Sequence, residues 1–294
     1  MATGRDFIGE YQLTRLIRAG QTCQVWESRT SDHDRVCLKV LQPEMRHNKD
    51  EIRYMRHEYE VGQPLDHPRV IKIFRLATDR QGVPFLVMEF HTGKNIKLLL
   101  GEGVDRIAYL VPTLIRTAAE GLAYFHDRGW VHRDIKPDNY LVGDEGEAKL
   151  IDFALAQKQA SAWSRLISGS RKIQGTRSYM APEQIRAKPP DRRADIYSFG
   201  CMMFEIVTGK TPFTGTNPDE LLRKHLHQQA PPAASSNKNV TSDCNDLIAR
   251  MMAKNPADRP SSMHDVVRTL QAIRIFRVTP KRPAEADAPQ TRRR

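Results

Sequence analysis

The sequence predicts an α+β protein of two lobes, a smaller β-rich lobe followed by a larger lobe that is mainly helical. From residue 11 to residue 90, short runs of β-branched and apolar residues alternate with turn residues, which is typical of strands. From residue 95 onward, apolar residues recur every three or four positions over long stretches, which is typical of helices. The change falls at residues 89–94, a short stretch with a glycine that we expect to form a hinge.

The smaller lobe, residues 11–90, is predicted to contain one helix over residues 50–63. This stretch lacks the alternation that marks its neighbours and separates the first strand-like runs from the later ones. The five strands are predicted at residues 11–18, 24–28, 36–41, 71–77 and 85–90.

The clearest helix of the larger lobe is predicted over residues 108–128, where Leu110, Leu114, Ala118 and Leu122 share one face. Ser261 and Ser262 are suitable N-caps for the last helix because a hydroxyl accepts a hydrogen bond from the first turn. The remaining helices are predicted at residues 195–208, 218–227, 242–253 and 261–276.

The composition is that of a globular protein, with 39% hydrophobic and 28% charged residues. No apolar run approaches the roughly 18 residues that cross a bilayer, and the N-terminus lacks a signal-peptide pattern. We therefore expect a cytoplasmic protein without a transmembrane anchor. The four cysteines lie far apart without a Cys-x-x-Cys pair, which argues against a disulfide framework or a structural zinc site.

The net charge of +11 admits two interpretations, a solvated basic surface or attraction to an acidic partner such as nucleic acid. The first is favoured because no aromatic and basic recognition motif accompanies the charge. Residues 279–294 are rich in proline, alanine and charge, so we expect a basic, disordered tail. Nucleic-acid binding is expected only through that tail.

The residues best suited to chemistry lie in a short stretch over residues 131–139 and at Asp152. Transfer of a γ-phosphoryl group needs metal ions on the phosphates, a positioned hydroxyl and compensation of developing charge. Asp134 is suited to orient the attacking hydroxyl, and Lys136 to neutralise charge on the γ-phosphate. Asn139 and Asp152 offer the hard oxygen ligands that Mg²⁺ prefers.

These motifs resemble those of eukaryotic-type serine/threonine protein kinase catalytic domains, in particular the bacterial members. The catalytic loop H-R-D-I-K-P-D-N is at residues 132–139, followed by D-F-A at residues 152–154. The sequence V-C-L-K at residues 36–39 resembles the V-A-I-K strand, and G-T-R-S-Y-M-A-P-E at residues 175–183 resembles the substrate-positioning loop. The resemblance covers residues 11–276.

The resemblance implies the two-lobed protein kinase fold, with an N-lobe over residues 11–90, a hinge over residues 89–94 and a C-lobe over residues 95–276. It also implies an enzyme that phosphorylates Ser or Thr hydroxyls of protein substrates with ATP and Mg²⁺, for which Mn²⁺ is an alternative. The lysine two positions after Asp134 is the form associated with Ser/Thr specificity.

The resemblance assigns Lys39 to the α- and β-phosphates and pairs it with Glu58, with Glu60 as the alternative partner. His132 is expected to be a packed core residue. Arg133 is expected to mediate control by phosphorylation. Thr176 would bridge towards Asp134 and Lys136. Asp195 would support the catalytic loop, and Glu183 and Arg259 would form a structural ion pair. The remaining nucleotide contacts implied are Ile17, Arg18, Gly20, Val25, Cys37 and Leu141, with Met88 lining the adenine pocket and Glu89, Phe90 and His91 in the hinge.

The chain departs from the family pattern at three places. In the glycine-rich loop, Arg18 and Cys23 stand at two of the three glycine positions and only Gly20 remains, so a stiffer loop is expected. Ala154 replaces a glycine that can adopt a positive φ, so restricted switching with intact chemistry is expected. Gly62 stands where a bulky residue usually packs towards Phe153, so a gap that loosens the Glu58 helix is expected.

Regulation is expected in the segment between Asp152 and Glu183, where a phosphate on Ser164, Ser168 or Ser170 would pair with Arg133. An activating partner is the alternative means of holding the Glu58 helix. Two other functions remain open: a pseudokinase, which is a nucleotide-binding scaffold with little or no transfer, and a small-molecule kinase. Lys136 and the loop over residues 175–183 argue against the small-molecule kinase.

Overall fold

The computed structural model describes residues 7–159, 175–189 and 191–282. The smaller lobe is built on one antiparallel sheet with strand order β1-β2-β3-β4-β6-β5. Its apolar side chains, among them Leu38 and Leu86, are fully buried. The strands are β1 (Phe7–Ile8), β2 (Tyr11–Ala19), β3 (Cys23–Arg29), β4 (Arg35–Leu41), β5 (Ile73–Thr78) and β6 (Pro84–Glu89).

Helix α1 (Lys49–Gly62) follows β4 and precedes β5 in the sequence, and it packs on β5 and β6. It begins where the Asn48 side chain accepts hydrogen bonds from the backbone of Asp50 and Glu51, which satisfies N–H groups that a helix start leaves unpaired. Its buried residues include Met55, Glu58 and Val61, so a carboxylate lies among the apolar residues that face the sheet.

The larger lobe is helical, and its long central helix α6 (Arg192–Thr208) is buried on nearly all sides. Within the described residues, no helix is both long enough and apolar enough to cross a membrane. The other helices are α2 (Ile96–Gly101), α3 (Val104–Ile107), α4 (Val111–Asp127), α5 (Pro182–Ile185), α7 (Pro218–His227), α8 (Ala233–Ser236), α9 (Ser242–Met251) and α10 (Met263–Ala272).

The two-lobed α+β prediction is confirmed, and three helix boundaries are corrected. The helix predicted from residue 195 begins at Arg192. The last helix ends at Ala272 and does not reach residue 276. Ile273 is extended, and the chain then turns so that the Ile275 carbonyl accepts a hydrogen bond from the Thr241 backbone at 3.1 Å. Ser262, and not Ser261, caps this helix, because its side chain accepts a hydrogen bond from the Asp265 backbone. The helix predicted from residue 108 begins at Val111 because α3 and a turn precede it.

Short paired strands flank the catalytic stretch. One small sheet has the order β10-β9-β7, from β7 (Lys94–Asn95), β9 (Tyr140–Val142) and β10 (Ala148–Leu150). A second pairs β8 (Trp130–Val131) with β11 (Gln157–Lys158). Residues 132–139 and 151–156 are thereby held between paired strands.

The segment after α1 packs on the larger lobe. The Leu150 backbone donates to the Arg69 carbonyl, and the Ile71 backbone donates to the Leu150 carbonyl, both at 2.9 Å. The Asp66 backbone also donates to the Tyr124 hydroxyl of α4 at 2.8 Å. Gly121 of α4 permits this approach, since a Cβ there would lie 2.6 Å from the Arg69 carbonyl oxygen. The far end of α1 is therefore tied to the larger lobe.

Candidate active site

Asp134 is at the centre of a compact polar cluster between the lobes. Its Oδ2 accepts a hydrogen bond from the Lys136 ammonium at 2.6 Å, and its Oδ1 accepts from the Thr176 backbone at 2.8 Å and hydroxyl at 2.9 Å. The Lys136 ammonium also donates to the Thr176 hydroxyl at 2.8 Å. The sequence predicted this bridge, and its effect is to fix the carboxylate in one orientation.

Asn139 is oriented by the same cluster. Its amide nitrogen donates to the Asp134 carbonyl at 2.8 Å. A carbonyl cannot donate in return, so the amide nitrogen must face Asp134 and the amide oxygen faces the other way. A buried amide held in this way presents an oxygen that is a suitable ligand for a hard cation.

Asp152 offers a second oxygen group suited to a hard cation. Its side chain is 40% exposed, and its Oδ1 lies 3.1 Å from the Lys39 ammonium. Burial alone would favour the neutral acid, but the Lys39 charge outweighs burial and holds the pKa of Asp152 at about 2. The carboxylate is therefore ionised at neutral pH, as a metal ligand must be. Asn139 and Asp152 fit a Mg²⁺ ion, which usually takes one or two protein ligands and completes its shell with phosphate oxygens and water.

Lys39 of β4 forms an ion pair with Glu58 of α1 at 2.6 Å. Glu58 is buried and Glu60 is exposed, so the structure brings Lys39 to the first of the two predicted partners. Burial raises the pKa of Glu58, and the Lys39 ammonium counteracts it. Burial would lower the pKa of Lys39, yet Asp152 and Glu58 together raise it. Lys39 thus stays charged between two carboxylates.

Asp195 of α6 supports the catalytic loop by accepting hydrogen bonds from its backbone. The fully buried Asp195 carboxylate accepts hydrogen bonds from the backbone of His132 at 2.7 Å and of Arg133 at 2.8 Å. Arg133 has a φ of 70°, a conformation that costs free energy and that such contacts compensate. The His132 side chain is fully buried against Phe153, in agreement with the core role that the sequence predicted.

The segment after Gly175 is tied to this loop and to the lobe beneath it. The Gln184 side chain donates to the Arg133 carbonyl at 3.1 Å. Glu183 accepts two hydrogen bonds from the Arg259 guanidinium, at 2.7 and 3.0 Å, and the Arg259 side chain has no exposed surface. The Glu183–Arg259 pair is therefore formed as predicted.

The predicted adenine-binding residues line the connection between the lobes. Cys37 of β4 lies opposite Met88 of β6, and both are in the strands that lead to the hinge. Glu89 accepts hydrogen bonds from the Lys149 ammonium and from the Lys72 backbone. Within the described ranges, no residue accepts a hydrogen bond from the His91 backbone N–H. This leaves a backbone donor at the hinge available to a ligand.

The degenerate glycine-rich loop forms a tight hairpin between β2 and β3. Arg18 pairs with Val25 in the ladder, so these predicted contacts are in strands. The turn is closed by a hydrogen bond from the Gly20 backbone to the Cys23 carbonyl at 2.8 Å. The Gln42 side chain donates to the Gly20 carbonyl at 2.8 Å, which ties the turn to the end of β4. Ile17 of β2 and Leu141 of β9 are the remaining apolar residues predicted for the nucleotide.

The gap expected beside Gly62 does not exist. A Cβ placed on Gly62 would lie 2.4 Å from the Ile73 Cδ1 and 2.9 Å from a Phe153 ring carbon. The Ile73 side chain of β5 fills the space that a bulky residue on α1 would otherwise take. The expectation of a loosened α1 is therefore wrong, because the missing volume comes from the neighbouring strand.

Ala154 is not strained. The positive φ in the Asp-Phe-Ala motif is at Asp152, at 69°, and Ala154 is not among the residues with positive φ. An alanine therefore fits this arrangement of the motif without the conformational freedom of glycine.

Sequence reasoning missed one contact that joins α1 to the segment after Phe153. The His57 Nε2 lies 2.7 Å from the Ala156 carbonyl, and its ring packs edge-on against Trp130. The His57 side chain thereby links α1 to β8 and to the residue that precedes β11. A single histidine in a helix gives no sequence signal for such a contact.

Sequence reasoning also missed Glu205, a buried carboxylate of α6. It accepts a hydrogen bond from the Tyr179 hydroxyl and forms an ion pair with Lys97 at 2.7 Å. Glutamate within an apolar helix is a signal of a buried pair that the sequence did offer. Ser164, Ser168, Ser170 and the tail after residue 282 lie outside the described residues.

Comparison with known proteins agrees with this geometry. The family model described as "Protein kinase domain" matches residues 11–270. A probable serine/threonine-protein kinase of Clostridium perfringens is 30% identical over 92% of this chain and 39% of its own length. The serine/threonine-protein kinase PknL of Mycobacterium tuberculosis is 33% identical over 90% of this chain and 65% of its own length. PrkC of Bacillus subtilis is 29% identical over 90% of this chain and 41% of its own length.

Proposed function

Because the chain belongs to the protein kinase domain family, we propose that it transfers the γ-phosphoryl group of ATP to Ser or Thr hydroxyls of proteins. The chain spans 39% to 65% of the lengths of the three relatives above, all of which are named as serine/threonine kinases. The observation that carries the proposal is the joint assembly of Asp134 with Lys136 and of Lys39 with Glu58 and Asp152.

Asp134 is proposed to accept a hydrogen bond from the substrate hydroxyl and to point its oxygen at the γ-phosphorus. As the new O–P bond forms, the bond between the γ-phosphorus and the bridging oxygen breaks and ADP leaves, the hydroxyl proton passes to Asp134, and charge spreads over the γ-phosphate oxygens. Lys136, 2.6 Å from Asp134, is placed to compensate that charge. Thr176 maintains the spacing between the two side chains.

The nucleotide is proposed to lie under the β2–β3 hairpin. Lys39 would contact the α- and β-phosphates, with Glu58 fixing its orientation. The hinge backbone at Glu89 and His91 would bind the adenine. Asn139 and Asp152 would hold Mg²⁺, which would neutralise negative charge on the phosphates; Mn²⁺ takes the same oxygen ligands. The apolar contacts to the adenine ring are proposed at Ile17, Val25, Cys37, Met88 and Leu141.

We also propose features of regulation and location. A phosphate on Ser164, Ser168 or Ser170 would pair with Arg133, and an activating partner is the alternative. A cytoplasmic location is supported by the four cysteines, which are free thiols in the structure. Nucleic-acid binding is proposed only for the basic tail.

The test compares the protein with its Asp134→Asn variant, using radiolabelled ATP, Mg²⁺ and a generic basic protein. We expect transfer to phosphoserine or phosphothreonine that the variant reduces by about a thousandfold or more, because the hydroxyl loses its orienting carboxylate. Binding of a fluorescent ATP analogue by both proteins is the control for folding. Equal transfer by both, or nucleotide binding without transfer by either, would contradict the proposal, and the second result identifies a pseudokinase.

A further inference from the structure

The sequence that leads into the residues beside Asp134 carries charges of one sign. Between Phe153 and Pro182 the sequence contains five lysines and arginines and no aspartate or glutamate. Two of the five, Lys158 and Arg177, are within the described residues, and Arg177 directly follows Thr176, whose backbone N–H donates to Asp134 at 2.8 Å. Covalent geometry then places the Arg177 Cα within about 8 Å of the Asp134 carboxylate.

The Arg177 side chain is exposed and has no partner within the described part of the chain. Among the residues that the structure describes, none forms a hydrogen bond, an ion pair or a ring contact with its side chain. An arginine side chain extends about 6 to 7 Å from its Cα, so this guanidinium reaches the surroundings of the residue that Asp134 would phosphorylate. Its five N–H donors are therefore available to a ligand.

The acidic residues nearby are occupied by other cations. Glu183 is paired with Arg259, Asp191 with Arg193, and Glu205 with Lys97. A basic side chain of a substrate would have to break one of these pairs to gain a partner. The exception is Asp138 of the catalytic loop, a half-buried acid without a hydrogen bond to another described residue.

The same sign of charge continues beyond this segment. Arg186, Lys188 and Arg192 are exposed, and none of them forms an ion pair within the described part of the chain. The surroundings of Arg177 thus present cations to the solvent, while the nearby carboxylates are largely neutralised.

We propose that Arg177 selects an acidic residue next to the Ser or Thr that is phosphorylated. This inference rests on the proposed kinase activity and names its substrate class. A guanidinium binds a carboxylate through two parallel hydrogen bonds, which an exposed, unpaired arginine can form without giving up an existing partner. Because the contact is exposed to solvent, it yields a preference and not an absolute requirement.

The experiment measures kcat/KM for peptides of equal length in which the residues flanking one serine are Glu, Gln or Lys. We expect the Glu peptide to exceed the Gln peptide by about two- to fivefold and the Lys peptide by about tenfold at low salt. Raising the ionic strength should reduce both ratios because salt screens exposed charges.

Two variants separate Arg177 from the general basic charge. Arg177→Gln should bring the Glu to Gln ratio to about one, and Arg177→Glu should reverse the order of the Glu and Lys peptides. Arg268→Glu makes the same change of charge at an exposed position of α10 and should leave the ratios of the unaltered protein in place.

Equal kcat/KM for the three peptides would overturn this inference and leave the proposed kinase activity intact. A preference for the Lys peptide that Asp138→Asn abolishes would also overturn it, in favour of basic substrates. Absence of transfer to every peptide and to a generic protein would overturn the proposed function and this inference together.

Discussion

Gly62 illustrates how a single absent side chain is compensated by a neighbour. The family pattern favours a bulky residue at this position of α1, and the sequence alone suggested a gap. In the structure Ile73 occupies that volume and contacts the site where a Cβ would be, together with Phe153. The pairing of Lys39 with Glu58 therefore depends on a residue in β5 that no motif marks.

Gly62→Leu is expected to destabilise the protein by about 1–3 kcal/mol, since a side chain there overlaps Ile73 and Phe153 in a packed core. Transfer activity should fall as well, because relief of the overlap moves α1 and Glu58 away from Lys39. Chemical denaturation and a transfer assay measure both effects. Gly101→Leu is the matched control, since no atom lies within 4 Å of a Cβ at Gly101. Wild-type stability of Gly62→Leu would show that a cavity exists there after all.

Ala154→Gly restores the residue that the family pattern favours. Since the φ of Ala154 is not positive, glycine brings no relief of strain and adds freedom to the unfolded chain. We expect a loss of about 0.5–1 kcal/mol in the free energy of unfolding, faster hydrogen exchange at residues 152–156, and a kcat within about twofold of wild type. Increased stability in the glycine variant would be the opposite result, and would mean that alanine is strained.

At the level of secondary-structure elements, the contact between α1 and the segment after Phe153 is one that the sequence does not predict. His57 reaches the Ala156 carbonyl, while β8 and β11 pair beneath it. Glu58 is the next residue of the same helix, so its position and that of Asp152 are coupled through one side chain and a few backbone atoms.

His57→Ala is expected to lower kcat/KM for ATP by about fivefold, the value of one lost hydrogen bond of about 1 kcal/mol. Steady-state kinetics should show the loss mainly in KM, because the contact orients the residues that hold Lys39. His57→Gln keeps an N–H donor and should recover part of the loss, and Arg56→Ala tests the exposed neighbour. If all three variants match wild type, the contact has no part in positioning α1.

The elements differ in how far sequence could predict them. The five main strands and α7 were predicted closely because periodicity and turn residues agree there. The two-residue strands, such as β8 and β11, carry too few residues for any period to show. The end of α10 was misplaced because apolar residues continue past Ala272, and only the tertiary contact of Ile275 with Thr241 shows that they are no longer helical. The motifs predict which residues form the site, and the structure shows the hydrogen bonds between them.

For the molecule as a whole, stability depends on polar groups buried in the larger lobe. His225 of α7 is fully buried, with its Nδ1 2.9 Å from the Tyr197 hydroxyl. Burial and the nearby Lys254 ammonium lower the pKa of His225 to about 4. The His225 ring therefore takes up a proton near pH 4 in the folded protein and near pH 6.5 in the unfolded chain.

This difference predicts a loss of stability in acid. Between pH 6.5 and 4 the unfolded chain binds a proton at His225 that the folded protein does not, so the free energy of unfolding falls as the pH falls. The full effect is about 3 kcal/mol. Denaturation at several pH values should show a shallower dependence for His225→Gln than for wild type, whereas the exposed His227→Gln should match wild type. Parallel curves for wild type and His225→Gln would exclude this histidine as the source.

The hydrogen bonds of residues 69–71 to Leu150 have a mechanical consequence for the cleft. Besides side-chain contacts such as Lys39–Asp152 and His57–Ala156, the backbone of the smaller lobe is joined to that of the larger lobe at the hinge and at this segment. We therefore expect relative motion of the lobes to be a rotation about the line between these two places. Lys49, at the start of α1, lies about 20 Å from Gly62 at the end of the helix. A rotation of about 10° then moves Lys49 by about 3.5 Å and Glu58, about 6 Å from the end, by about 1 Å. The first turn of α1 is therefore the part of the helix that moves furthest when the helix rotates about its Gly62 end, and a contact made there has the longest lever arm on the Glu58 carboxylate.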